Sequence, residues 1–160
     1  MAPAIGKYLN RYGFRSDEGR IDAPTWRQGT LLLATPLAAS TWGWLMLAPF
    51  TEHDLSRSPF LAWQTAAAFA YLVFYAFAVL LIAICYHNLS IKRWRDRGWR
   101  FPGALAALLP LAALLSGALN WLQPRITETM SYWYVMAADT ILAAAVIWNV
   151  TELGLMPRPE

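Results

Sequence analysis

One aspartate stands where carboxylates are rare. Asp139 lies within YVMAADTILAAAV, a stretch with no other acid or base. In a membrane-crossing helix an acid at that depth is costly, and it is read first as a place to hold a proton, an ion or a ligand headgroup. No Lys or Arg falls at comparable depth, so the group is expected as a neutral, hydrogen-bonded acid. The polar residues that depth counting places in the same layer are Ser40, Thr41, Gln64, Thr65, Ser116, Asn120 and Thr140. The competing role for such a cluster is adhesion between helices, worth about 0.6 kcal/mol per hydrogen bond.

Other chemistry is harder to assemble. His53, with Glu52 and Asp54 beside it, forms a weak metal-like group in a short connection, where such residues are more commonly just solvated. His87 falls at the end of a different apolar run. The single cysteine, Cys85, excludes an internal disulfide and any cysteine-built zinc site; it is expected near a helix end as a small hydrophobe. No Gly-rich phosphate loop or nucleophile elbow is present. The sequence therefore implies no cofactor, no metal and no catalytic constellation, and the chain is expected not to be an enzyme.

The elements that must position these residues are legible in the composition. Of 160 residues, 58% are hydrophobic and only 14% are charged, where a soluble domain carries about a quarter charged. Four apolar runs reach the roughly 20 residues that a helix needs to cross a bilayer. They cover about 29–50, 60–86, 101–122 and 131–153. The second is longer than a bilayer requires and should tilt or project into water. Short connections predict antiparallel neighbours, so the expected fold is an all-α, four-helix transmembrane bundle forming one domain. A cleaved signal peptide is disfavoured for the first run: its preceding tail is long and contains Asp17, Glu18 and Asp22, and the apolar run continues past TPLAAS.

Charge placement sets the threading. Lys7, Arg11, Arg15, Arg20 and Arg27 precede the first run, Lys92, Arg93, Arg95, Arg97 and Arg100 lie between the second and third, and Arg158 follows the fourth. Arg57 and Arg125 are the only bases in the other two connections. This bias predicts both termini and the central hinge on the cytoplasmic side. The tryptophans agree: Trp42, Trp44, Trp63, Trp121 and Trp133 fall at the outer level, and Trp26, Trp94, Trp99 and Trp148 near the inner one.

The hinge itself reads KRWRDRGWRFPG from Lys92 to Gly103. Its bases are expected against anionic headgroups, at roughly 1 kcal/mol per residue near the surface, with Trp94 and Trp99 anchoring the same level. The second helix should run on to Arg97, with Asp96 reaching Lys92 or Arg93. Gly98 suits the left-handed residue that ends it, and Pro102 suits the first turn of the next. A nucleic-acid partner is disfavoured, because a basic run beside a span ordinarily faces lipid. In the N-terminal tail, Ile5, Tyr8, Leu9 and Tyr12 recur at helical spacing among Lys7, Arg11 and Arg15, the pattern of a short interfacial helix. Ala39-x-x-x-Gly43, Gly103-x-x-x-Ala107 and Ala66 to Ala70 permit close helix approach. Pro36 and Pro110 should kink their helices.

Three segments together carry a family likeness: GRIDAPTW (Gly19 to Trp26), the hinge SIKRWRDRGWRFPGALAALLPL, and the ending TELGLMPRPE. In order and spacing they resemble the YhaH/YhaI-like small bacterial inner-membrane proteins. Arg93, Asp96 and Gly98 fall on that family's Lys/Arg-Arg-Leu-His-Asp-x-Gly hinge. Trp94 stands in place of its Leu and Arg95 in place of its His, and the Ser-Gly-Trp-Trp continuation and the Pro-Gly/Asn-x-Tyr-Gly tail are absent. The resemblance implies a four-helix protein of the bacterial inner membrane and brings no established activity. The expected role is that of a small accessory or scaffold subunit of a larger membrane assembly, or a homo-oligomer, in contact with anionic lipid. The alternative is a small oligomeric proton- or solute-linked transporter built around Asp139.

Overall fold

The computed structural model describes residues 13–14, 16–51 and 62–157. The expected interfacial helix with Ile5, Tyr8, Leu9 and Tyr12, the group around His53, Arg57 and Arg158 lie outside the described residues. Among the described residues every regular element is helical. Four α-helices run in order: α1 Ala23–Leu47, α2 Trp63–Asp96, α3 Pro102–Leu122 and α4 Trp133–Asn149. Short 3-10 turns extend α1 through Ala48–Thr51 and α3 through Gln123–Arg125, and a π-helical segment, Val150–Leu155, extends α4. With these extensions all four are long and apolar enough to cross a membrane. The all-α, four-helix class expected is the one observed, and the chain is a multi-pass membrane protein.

Polar signals set the helix ends and carry α1 and α2 past their apolar runs. Asp22 caps α1: its Oδ1 accepts from the Thr25 N–H at 3.1 Å, and its carbonyl accepts the first helical bond, from Trp26 N–H at 3.0 Å. At the end of α2, Gly98 takes φ +74. Trp99 N–H returns to the Trp94 carbonyl and Gly98 N–H to that of Arg95, the paired bonds that close a helix on a left-handed residue. Asp96 pairs with Arg93, three residues back. Pro102 opens α3, where a missing N–H is harmless. Because α2 continues to Asp96, Cys85 lies well inside it, half-buried, and not near its end. Pro36 and Pro110 both lie inside helices.

The chain separates into two compact units. One is Thr30–Cys85, the larger part of α1 and α2. Here Tyr71 donates its hydroxyl proton to the Ser40 carbonyl at 2.9 Å, and the Tyr75 hydroxyl and Thr41 Oγ1 share a bond of 3.1 Å. Trp44 stacks on Tyr75, with planes 7° apart and centroids 6.1 Å apart. Gly43 is what lets Tyr71 in, since a Cβ there would collide with the tyrosine hydroxyl. Phe74 and Phe77, on the same helix, point outward.

The other unit takes the chain up to Gly29 together with Tyr86–Glu160. It holds α3 and α4, the first turns of α1 and the last turns of α2. Ala106 and Ser116 of α3 and Val135, Ala138 and Asn149 of α4 are buried. The basic end of α2 and the polar residues around Asp139 both lie in this unit.

Candidate functional site

The first group surrounds the end of α2. Arg93, expected at the headgroups, is 2% exposed. Its Nε donates to the Leu153 carbonyl at 3.0 Å, its Nη2 to the Met156 carbonyl at 2.7 Å, and its Nη1 to Asp96 Oδ2. The acceptors are not accidental. The π-helical segment closes with Met156 N–H on the Thr151 carbonyl, five residues back, and every helix leaves its last carbonyls without intrahelical donors. A planar guanidinium supplies several donors in fixed directions, and here they meet two open carbonyls and one carboxylate.

The neighbours follow the same plan. Lys92, 4% exposed, donates to the Gly13 carbonyl at 2.6 Å. Asn88 donates to the Phe14 carbonyl at 2.9 Å. Arg95 holds Asp17, through the carboxylate at 2.9 Å and the backbone carbonyl. Arg97 donates to the Pro157 carbonyl at 2.9 Å and lies 2.8 Å from Glu152 Oε2, an ion pair off hydrogen-bond alignment. Arg100 lies over the Phe101 ring at 5.3 Å and is exposed.

The aromatic residues complete this end. Trp94 is fully buried, with Trp148 at 5.1 Å on one side and Trp99 edge-on at 5.4 Å. Its Nε1 has no hydrogen-bond partner among the described residues. Trp26 is also buried, packs edge-on to Tyr86 and donates its indole proton to Ser90 Oγ at 3.2 Å. The same ring lies against Gly154, where an added Cβ would come within 3.3 Å of it. Tyr86 in turn donates to Asn149 Oδ1 at 3.3 Å, and the Asn149 amide donates to the Ala145 carbonyl.

This corrects the headgroup contact expected for Lys92, Arg93 and Trp94. Their side chains are buried in protein, because the helix ends packed there offer carbonyls, carboxylates and aromatic faces at bonding distance. Trp99, exposed at 45%, and Arg100 keep surface positions. The three segments that carried the family likeness converge here: Trp26 from the first, Arg93 and Asp96 from the second, Glu152, Leu153 and Gly154 from the third.

The second group is at Asp139. Ser116 donates to Asp139 Oδ1 at 2.5 Å, and Asn120 donates to the same oxygen at 3.0 Å. Asn120 also donates to the Ser116 carbonyl at 3.1 Å, so both of its amide protons are used. Three of the expected residues are therefore together. Thr140 is not with them: it donates to the Met136 carbonyl of its own helix at 2.8 Å, the usual fate of a mid-helix threonine. Thr41 pairs with Tyr75 in the other unit. Gln64 is an exposed residue of the first turn of α2. Ser116 is buried, whereas Asp139 and Asn120 are exposed.

Among the described residues no three His, Cys, Asp or Glu side chains gather as a metal site. No protein-family model matches the chain, and neither the curated proteins nor the solved structures contain a match.

Proposed function

We propose that the protein is a non-catalytic component of a bacterial inner membrane, threaded with both termini and the hinge in the cytoplasm, that works by association as a small accessory or scaffold subunit of a larger membrane assembly. The observation that carries this reading is how the ionisable groups at the end of α2 are used. Lys92, Arg93, Arg95 and Arg97 are engaged with backbone carbonyls and acids of the same unit, while large apolar side chains of α3 and α4, such as Leu111, Ile141 and Ile147, stay exposed. Polar groups consumed by folding and an apolar exterior suit a part that is held, and holds others, in lipid. The likeness of the three converging segments to the YhaH/YhaI-like proteins supports the bacterial inner membrane. Contact with anionic headgroups falls to the exposed bases Arg20, Arg27 and Arg100 and to Trp99.

Mild-detergent extraction from the native membrane, followed by native electrophoresis and mass spectrometry, tests the role. Stoichiometric co-migration with a larger complex is expected. Migration of this chain alone overturns it.

The exposed carboxyl of Asp139, bonded through one oxygen only, favours a second reading, proton- or solute-linked transport. Asp139→Asn separates the two: an association role tolerates it, whereas a proton-carrying role loses flux.

A further inference from the structure

The segment ahead of α1 is gripped by one row of α2 side chains. Asn88, Lys92 and Arg95 follow one another at helical spacing, so they share a face of the helix. All three donate to the main chain of the segment: Lys92 to the Gly13 carbonyl, Asn88 to that of Phe14 and Arg95 to that of Asp17. The segment is folded to meet them. Gly13 takes φ +55, and its carbonyl also accepts from Ser16 N–H at 3.1 Å. Ser16 Oγ accepts from Glu18 N–H at 3.0 Å. Phe14 is buried, whereas Ser16, Asp17, Glu18 and Arg20 are exposed. The grip lies wholly within one compact unit.

A grip that is polar and short of buried apolar area belongs to the parts of a fold that open before the rest. The charges within it are also unequal. Lys92 meets a carbonyl dipole, and Arg95 shares its ion pair with an Asp17 whose side chain is 51% exposed. Arg93, between them in sequence, is spent on Asp96 and the C-terminal carbonyls. A layer of phosphate headgroups offers a full negative charge to a base at the end of a span, where the segment offers Lys92 a carbonyl. The exposed Asp17–Arg95 pair is of the kind that contributes little to stability.

From this arrangement we infer that the segment from Gly13 to Asp22 is a detachable strap over Lys92 and Arg95, and that an anionic lipid surface displaces it. Closed, the strap keeps the two bases on the protein's own carbonyls and on Asp17. Open, it yields them to headgroup phosphates and frees the chain ahead of α1. The opening stops at Asp22, which is bonded to Thr25 and Trp26 of α1 itself. The basic end of α2 thus has a lipid contact held in reserve, whether or not the protein joins a larger assembly.

The test uses the full chain in vesicles with the same lipid in both leaflets, so that threading does not matter. Cys85 is the only cysteine, so Cys85→Ala clears the background for spin labels at Glu18→Cys and Ala104→Cys. Both positions are exposed, the second in the first turn of α3, and neither side chain takes part in the grip. The distance between the labels is measured by pulsed electron resonance. Phosphatidylcholine alone is expected to give one narrow distribution, the closed strap. Admixed phosphatidylglycerol is expected to add a broad, longer component and raise the open-to-closed ratio about tenfold, within what two bases against an anionic surface are worth. Inorganic phosphate added to the neutral vesicles should leave the strap closed. Asp17→Asn should open it further in neutral lipid, and Arg95→Gln should blunt the response to phosphatidylglycerol. Four outcomes overturn the strap: a broad distribution already in neutral lipid, the same narrow one in both lipids, opening by inorganic phosphate, or an undiminished lipid response in Arg95→Gln.

Discussion

The guanidinium of Arg93 closes the last helix of the chain: it bonds the carbonyls of Leu153 and Met156 at 3.0 and 2.7 Å while holding Asp96 in its own helix. A residue of the central hinge thereby does for the C-terminal segment what a cap would do. Removing it should be severe. Arg93→Ala takes the guanidinium away from Asp96 and from two carbonyls, and losses on the order of 3 kcal/mol accompany the breaking of a buried pair. Arg93→Lys keeps the charge without the fork and should fall between the two. Denaturant unfolding in detergent micelles, followed by tryptophan fluorescence, ranks the three forms.

The two buried indoles should respond differently to the same change. Trp26 donates to Ser90 and Trp94 donates to nothing described. Trp26→Phe loses a hydrogen bond of about 1 kcal/mol as well as ring volume. Trp94→Phe loses volume and also removes an unsatisfied buried N–H, whose burial is itself unfavourable. The prediction is that Trp26→Phe costs more, by about 1 kcal/mol, in the same unfolding assay.

In the other unit, Gly43 and Tyr71 should be coupled. A methyl at Gly43 meets the Tyr71 hydroxyl and drives it off the Ser40 carbonyl. Gly43→Ala should therefore destabilise the wild-type background more than a Tyr71→Phe background, where the colliding oxygen is gone. A double-mutant cycle is expected to return a coupling within the range of about 0.5–3 kcal/mol seen for residues in contact.

Asp22 gives a pH signature. The bond from Thr25 holds its carboxyl below the ordinary value of 3.8. A carboxyl whose folded value is depressed adds stability above its unfolded value, and that contribution is lost as pH falls through the folded one. The side chain is exposed, so the effect stays near the lower end of cap energies, below about 1 kcal/mol. Asp22→Ala should be less stable than wild type at pH 6, and the gap should narrow by pH 3.

How much of this was legible in the sequence depends on the range of the interaction. The four spans were, because apolar runs of sufficient length are a local property. The stop at Gly98, the start at Pro102 and the Arg93–Asp96 pair were as well, since each is fixed within a few residues. Asp139 with Ser116 and Asn120 could be anticipated from depth alone, because α3 and α4 are antiparallel neighbours joined by a short connection. The inward turn of Lys92, Arg93 and Trp94 could not. Their partners include carbonyls 79 and 60 residues away and the ring of Trp148, and a carbonyl left open by a π-helical turn has no residue type that announces it. Glu152, an acid at the very end of the last apolar run, was the available clue. Thr140 shows the converse limit: depth counting groups it with Asp139, but a threonine in a helix has a carbonyl of its own helix in reach.

The central claim is that the hinge charges face the protein's own terminal segments, Lys92 and Arg95 the N-terminal one and Arg93 and Arg97 the C-terminal one. Exchanging the partners of the Arg97–Glu152 pair, 2.8 Å apart and mostly covered, tests it most directly. Arg97→Glu and Glu152→Arg should each destabilise the protein, and the double exchange should recover a large part of the loss, in neutral and in anionic lipid alike. If the double exchange recovers nothing, or if Arg97→Glu matters only when anionic lipid is present, the hinge serves the headgroups and the account is wrong.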